Sequence, residues 1–305
     1  MQVLFANDMA PTESFYKIPC NIHCLFGRLR ENNGQLLRYV IYKAFCNLKH
    51  YILLSREKAS YSKLFSGLPQ KNSSQGKTGE IMPEVIFNGP AGRIEGRYSH
   101  SKIPNAPLAL VLHPHPEHGG TMNNKITYSL FQTFISRGFS ALRFNFRGVG
   151  RSQGVFDRGE GELSDAASAL DWMQEINPNA PYVWIAGFSF GAWIGMQLLM
   201  RRPEIKGFVS VAPPANFYDF SFLAPCPSSG IIIQGGADDV VPSYSVEKLV
   251  QKLRAQKGIE IDYRVLERAN HFFHDNVELL CAQVHDHLNK AGSGLRVEVD
   301  ISQAA

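Results

Sequence analysis

From Met82 onward the apolar residues fall into short runs that alternate between two spacings. Runs rich in Val, Ile, Leu and Phe occur at "RIEGRYS" (93–99), "LALVLHP" (108–114), "FSALRFNF" (139–146), "YVWIAGF" (182–188), "KGFVSVA" (206–212), "GIIIQGG" (230–236) and "IEIDYRVLE" (259–267). Their length and apolar content predict strands. Between them, residues 124–137, 161–176, 191–202, 243–256 and 275–290 read as helices. In "KITYSLFQTFISRG" the spacing puts Ile126, Leu130, Phe131 and Phe134 on one face, and Gly138 supplies a stop. Strands and helices in alternation imply an α/β fold, a mainly parallel sheet with helices on both faces.

Before Met82 the character is different. Residues 1–63 show no sustained periodicity apart from "LLRYVIYKAFCNLKHYILL" (36–54), which fits one helix, and "SGLPQKNSSQGKTGE" (66–80) reads as a linker. The expected organisation is a basic extension and linker over 1–81, one domain over 82–292 and a C-terminal tail over 293–305. Charge follows the same boundary. Residues 1–81 carry 11 Lys and Arg against 5 Asp and Glu, whereas residues 82–305 carry 20 against 22. The main domain therefore has no nucleic-acid footprint. Five cysteines, an odd number without a C-x-x-C pair, argue for reduced thiols and a cytoplasmic protein. No apolar run reaches the ~18–20 residues of a membrane span, and the opening residues lack a secretory pattern. The expected partner is a small-molecule substrate, with neither nucleic acid nor membrane involved.

Two segments match Gly-x-Ser-x-Gly: "GFSFG" around Ser189 and "GRSQG" around Ser152. Ser189 follows the apolar run "VWIAGF" and precedes the helical run "GAWIGMQLLM", the strand–turn–helix context of a nucleophile elbow. Ser152 is followed by "GVFDRGEGELSD", which delays any helix and reads as a loop. A nucleophilic serine needs a base, and the base an orienting acid. Asp238 and Asp239 end one predicted strand, "IIIQGGADDVVP", and His271 ends the last, "VLERANHFFHD". Both lie past strand carboxyl ends, where open parallel sheets place their sites.

These residues carry a resemblance. Residues 82–290 resemble lidless α/β-hydrolases of the dienelactone-hydrolase and serine-aminopeptidase-like group. The likeness is greatest to uncharacterised bacterial α/β-hydrolases with "HPHP…GGTM.NK", "RFNFRGVGRS" and "AGFSFGA" in that order. The resemblance implies an α/β-hydrolase fold with Ser189 as nucleophile, His271 as base and Asp238, rather than Asp239, as acid. It implies one oxyanion donor at the Phe190 amide and a second in the loop after "LVLHP". Prolines 114 and 116 cannot donate, which favours the amide of His115. The implied reaction is hydrolysis of an ester, thioester or amide through an acyl-enzyme, with no metal or organic cofactor. Because the resemblance begins at Met82, Met82 is the expected initiator and the preceding residues a gene-calling artefact. A basic targeting or partner-binding arm is the alternative.

Two rival readings remain at this point. "HPHPEH" (113–118) resembles the H-x-H-x-D-H zinc motif of metallo-β-lactamases, with Glu for Asp, so a zinc hydrolase is one alternative. A catalytically silent hydrolase fold used for binding is the other. Residues 213–229 are too few for a lid domain, which predicts an open site. Phe217, Tyr218, Phe220 and Phe222 in that segment either line an apolar acyl pocket or fill core. Arg143, Arg147 and Arg151 read as solvated loop charges rather than an anion site.

Overall fold

The computed structural model describes residues 84–294. The helix expected over 36–54, the 66–80 linker, and the tail beyond Gly294 lie outside the described residues. The strands are β1 (Glu84–Gly89), β2 (Gly92–Ser99), β3 (Leu108–Leu112), β4 (Ser140–Phe144), β5 (Val183–Phe188), β6 (Ile205–Val211), β7 (Gly230–Gly235) and β8 (Ile261–Leu266). The helices are α1 (Lys125–Ser136), α2 (Glu160–Ile176), α3 (Phe190–Leu199), α4 (Ser243–Arg254) and α5 (Val277–Lys290). One sheet runs in the order β1-β2-β4-β3-β5-β6-β7-β8. β2 is antiparallel to both neighbours, and every other pair from β4 to β8 is parallel.

Strand alternation builds a core on each face. Leu108, Leu110 and Leu112 of β3 share one buried cluster with Leu163, Leu170 and Met173 of α2, Ile194 and Leu198 of α3, and Val246 and Leu253 of α4. Ala109 and Val111, their neighbours, point the other way, toward Ile126, Phe131 and Phe134 of α1 and Leu280 and Val284 of α5. Period-two burial on both faces is why the central strands read as unbroken apolar runs. Among the described residues no helix is long and apolar enough to cross a membrane.

Three expectations need adjustment. β1 was not among the predicted strands. It is an edge strand in which only Phe87 is fully buried, so it lacks the apolar density of the others. β3 stops at Leu112 because the prolines at 114 and 116 have no N–H for the ladder. β4 stops at Phe144, and the amide of Phe146 turns to the ring of His113 instead of a strand. The 213–229 connection between β6 and β7 contains neither helix nor strand, so no lid domain sits there.

Candidate active site

The turn from β5 into α3 forces Ser189 to φ 52° and ψ −118°. A positive φ is strained for a residue with a side chain and persists only when its surroundings hold it. Here the Ser189 amide donates to Val211 O at 2.8 Å, and Ser189 O accepts from Ala192 N at 2.9 Å. The flanking glycines are sterically required. A Cβ on Gly187 would sit 2.3 Å from Gly191 O, and one on Gly191 would sit 2.5 Å from the carbonyls of Leu112 and His113. The motif around Ser189 is thus a backbone contact between β3, β5 and α3.

Asp238 lies in the turn after β7 with its carboxylate wholly enclosed. Oδ1 accepts from the amides of Val240 (2.9 Å) and Val241 (2.7 Å). Oδ2 accepts from Gln234 Nε2 at 3.0 Å and lies 2.8 Å from His271 Nδ1. Because an ionised carboxylate only accepts, His271 Nδ1 carries the proton. Nε2 then turns its lone pair toward Ser189 Oγ, 3.2 Å away. Asp239 and His274 are both exposed, and His274 Nδ1 meets Asn270 Nδ2 at 3.2 Å. Gln234 was missed in the sequence. Its signal was a lone polar residue inside the apolar run "IIIQG", fully buried at the end of β7.

On the other side of Ser189, the Phe190 amide opens α3, at the positive end of the helix dipole. His115 sits in the loop after β3 with φ −51°. Among the described residues neither amide donates a hydrogen bond elsewhere. The end of β4 and the residue after it clamp this loop. Asn145 Oδ1 accepts from Met122 N at 2.7 Å, and Arg143 Nη1 donates to Met122 O (2.7 Å) and Asn123 Oδ1 (2.6 Å). Asn145 is itself held by Glu95 Oε1 at 2.7 Å. These contacts join the segments "HPHPEHGGTMNNK" and "RFNFRGVGRS".

The arginine reading is corrected accordingly. Arg143 is 6% exposed, with its guanidinium against the rings of Tyr128 and Phe131. Arg147 is 9% exposed and forks onto Asp165 at 3.0 and 2.7 Å. Only Arg151 keeps an exposed side chain, paired with Glu84 and Glu95. Ser152 is buried, donating to Asn145 O at 2.6 Å and accepting from Glu95 N at 3.1 Å. It ties the loop to β2.

The zinc arrangement is not built by "HPHPEH". His113 is completely buried, its Nδ1 donating to Pro114 O at 2.7 Å and its Nε2 accepting from Phe146 N at 3.0 Å. Both ring nitrogens are occupied, and burial pushes its pKa down to about 4. His115 is also lowered to about 4, by burial first and the adjacent His118 second. Among the described residues no three His, Cys, Asp or Glu side chains group to hold a metal ion. The 213–222 aromatics divide. Phe220 is buried, Tyr218 and Phe222 lie half-buried against the core, and Phe217 is exposed.

Sheet order and the tight turn before α3 define an α/β-hydrolase. Residues 76–228 match the X-Pro dipeptidyl-peptidase (S15) family, and the chain belongs to that family. It is 54% identical over 211 residues to an uncharacterised protein of Rickettsia prowazekii, covering 68% of this chain and 89% of that protein. It is similar to a solved α/β-hydrolase of unknown function from Agrobacterium tumefaciens, at 62% identity and a TM-score of 0.68. That match covers 72% of this chain and all of the other. A serine hydrolase without a lid from Xanthomonas campestris matches at 28% identity and a TM-score of 0.62, over 71% of this chain and 96% of the other.

Proposed function

We propose that this chain is a serine hydrolase cleaving an ester, thioester or amide of a small substrate through an acyl-enzyme. One observation carries the reading: His271 bridges the enclosed Asp238 carboxylate at 2.8 Å and Ser189 Oγ at 3.2 Å. Membership of a hydrolase family supports it.

Ser189 Oγ attacks the carbonyl carbon as its proton passes to His271 Nε2. Asp238 holds the Nδ1–H tautomer and stabilises the imidazolium. The amides of Phe190 and His115 receive the charge on the carbonyl oxygen. The bond to the leaving group breaks as His271 returns the proton to that group. Water then attacks the acyl carbon, giving one proton to His271, which passes it to Ser189 Oγ as the acid departs. No step needs a metal or organic cofactor. The free thiols of Cys226 and Cys281 support a cytoplasmic setting.

The direct test is labelling with a fluorophosphonate probe. Wild type and Ser152→Ala should label and Ser189→Ala should not. Labelling that survives Ser189→Ala would overturn the assignment.

A further inference from the structure

The run "GIIIQG" sets one polar side chain where the pleat of β7 calls for an apolar one. Ile231 and Ile233 join the cluster on the α1 and α5 face, whereas Ile232 and Val241 join the cluster on the other. Alternation places Gln234 on the side of Ile232, and it is completely buried. Its Nε2 is surrounded by acceptors: Val241 O at 2.8 Å, Asp238 Oδ2 at 3.0 Å and Gly235 O at 3.4 Å. Three acceptors at one end of a carboxamide assign that end as the NH2 group. At the other end Oε1 has no hydrogen-bond partner among the described residues. Leaving a buried oxygen unpaired is unfavourable, and Met or Leu would fill the volume without it. What those residues lack is the pair of N–H groups.

The N–H groups act on the one freedom left to the acid. Backbone bonds fix the Asp238 turn against the His271 loop, with Gly236 N donating to Leu266 O at 2.9 Å and Ala237 N to Ala269 O at 3.0 Å. Asp238 Oδ1 is held by the amides of Val240 and Val241. Oδ2 faces His271 Nδ1, and among the described residues its one other donor is Gln234. Gln234 also binds Val241 O, so the turn closes on the carboxylate from both oxygens.

We infer that Gln234 is a positioning residue: it holds Asp238 Oδ2 on His271 Nδ1–H, and through that ring holds Nε2 on Ser189 Oγ. With no exposed surface it does not touch substrate. The inference rests on the serine-hydrolase reading proposed above.

The test measures kinact and KI for fluorophosphonate labelling of the full chain, which needs an activated serine but no knowledge of the natural substrate. Gln234→Met should lower kinact by about ten- to a hundredfold with KI near wild type, the scale of a small misplacement near the reacting atoms. Gln234→Asn keeps the N–H groups but draws them back from Oδ2, so it should fall similarly, and it serves where Gln234→Met does not fold. In an Asp238→Ala background the same substitution should change kinact by less than about twofold, because the group it acts through is gone. A kinact within about twofold of wild type in the folded single variant, or the same loss in both backgrounds, would overturn the role and leave Gln234 as packing. Labelling controls separate the two claims. Ser189-specific labelling with an unaffected Gln234 variant removes the positioning role alone, whereas wild type that does not label, or labelling that survives Ser189→Ala, removes both.

Discussion

His113 Nε2 accepts the amide of Phe146 at 3.0 Å, joining the ends of β3 and β4 through a ring with no solvent exposure. Phe146 N–H can only donate and Pro114 O can only accept, so the ring is held as the neutral Nδ1–H tautomer. Protonation would set an N–H against an N–H. The first motif of the chain is therefore a neutral strut beneath the loop that carries His115.

That strut makes stability pH-dependent. His113 has its pKa lowered to about 4 in the folded protein, from an ordinary 6.5. Between those values the unfolded chain binds a proton that the folded one refuses, so stability rises with pH across that window. The contribution is complete above about pH 6.5 and is lost as pH falls toward 4. Its size is on the order of 3 kcal/mol. Urea unfolding at pH 7 and pH 4.5 should show wild type losing more stability than His113→Gln, and parallel losses would refute the strut.

His271→Ala should lower kcat by on the order of 10⁴ or more, and Asp238→Asn by a comparable or somewhat smaller factor. Asp239→Asn and His274→Ala, whose side chains are exposed, should stay within about tenfold. The kcat values of all four, each checked for folding by circular dichroism, decide the assignment. A collapse in Asp239→Asn without one in Asp238→Asn would move the acid by one residue.

The His115 amide can be removed without changing its backbone, because φ −51° lies within the range proline adopts. His115→Pro should cost about 10²–10³ in kcat if that amide stabilises the oxyanion. His115→Ala keeps the N–H and should lose far less. Equal kcat in the two variants would assign the second donor elsewhere.

Ser152→Ala removes two buried hydrogen bonds, to Asn145 O and from Glu95 N. It should lower stability by about 1–3 kcal/mol with kcat near wild type. A thermal melt and one activity assay suffice, and full stability would show that the loop is tied elsewhere.

Residues 82–305 alone should form an active hydrolase with unchanged kcat and thermal midpoint. The support is that 72% of this chain covers the whole of the Agrobacterium tumefaciens hydrolase. An insoluble or inactive product would place part of the core before Met82.

Much of the fold was legible because the central strands bury both faces. "LALVL", "VWIAGF" and "GIIIQG" became β3, β5 and β7 with their ends shifted by a residue or two. β1 was not legible, since an edge strand with one buried side chain carries little apolar signal. The turn at Ser189 was legible because a tight strand-to-helix turn demands glycine on both sides, and of the two Gly-x-Ser-x-Gly serines only Ser189 has a helix starting at the next residue.

Local chemistry alone set the strand–helix alternation and the turn at Ser189, because both depend on neighbours a few residues apart. Geometry across the chain decided everything that depends on which loops meet. Ser189 and His271 are 82 residues apart in sequence and 3.2 Å apart in space, a proximity that composition and periodicity do not encode. The fates of Arg143, Arg147 and His113 were decided the same way. Each looks like a solvent-facing or metal-binding side chain in sequence, and each is buried because its polar atoms find partners on other elements. Burial of a polar group depends on whether its hydrogen bonds are met, and only the folded chain brings those partners together.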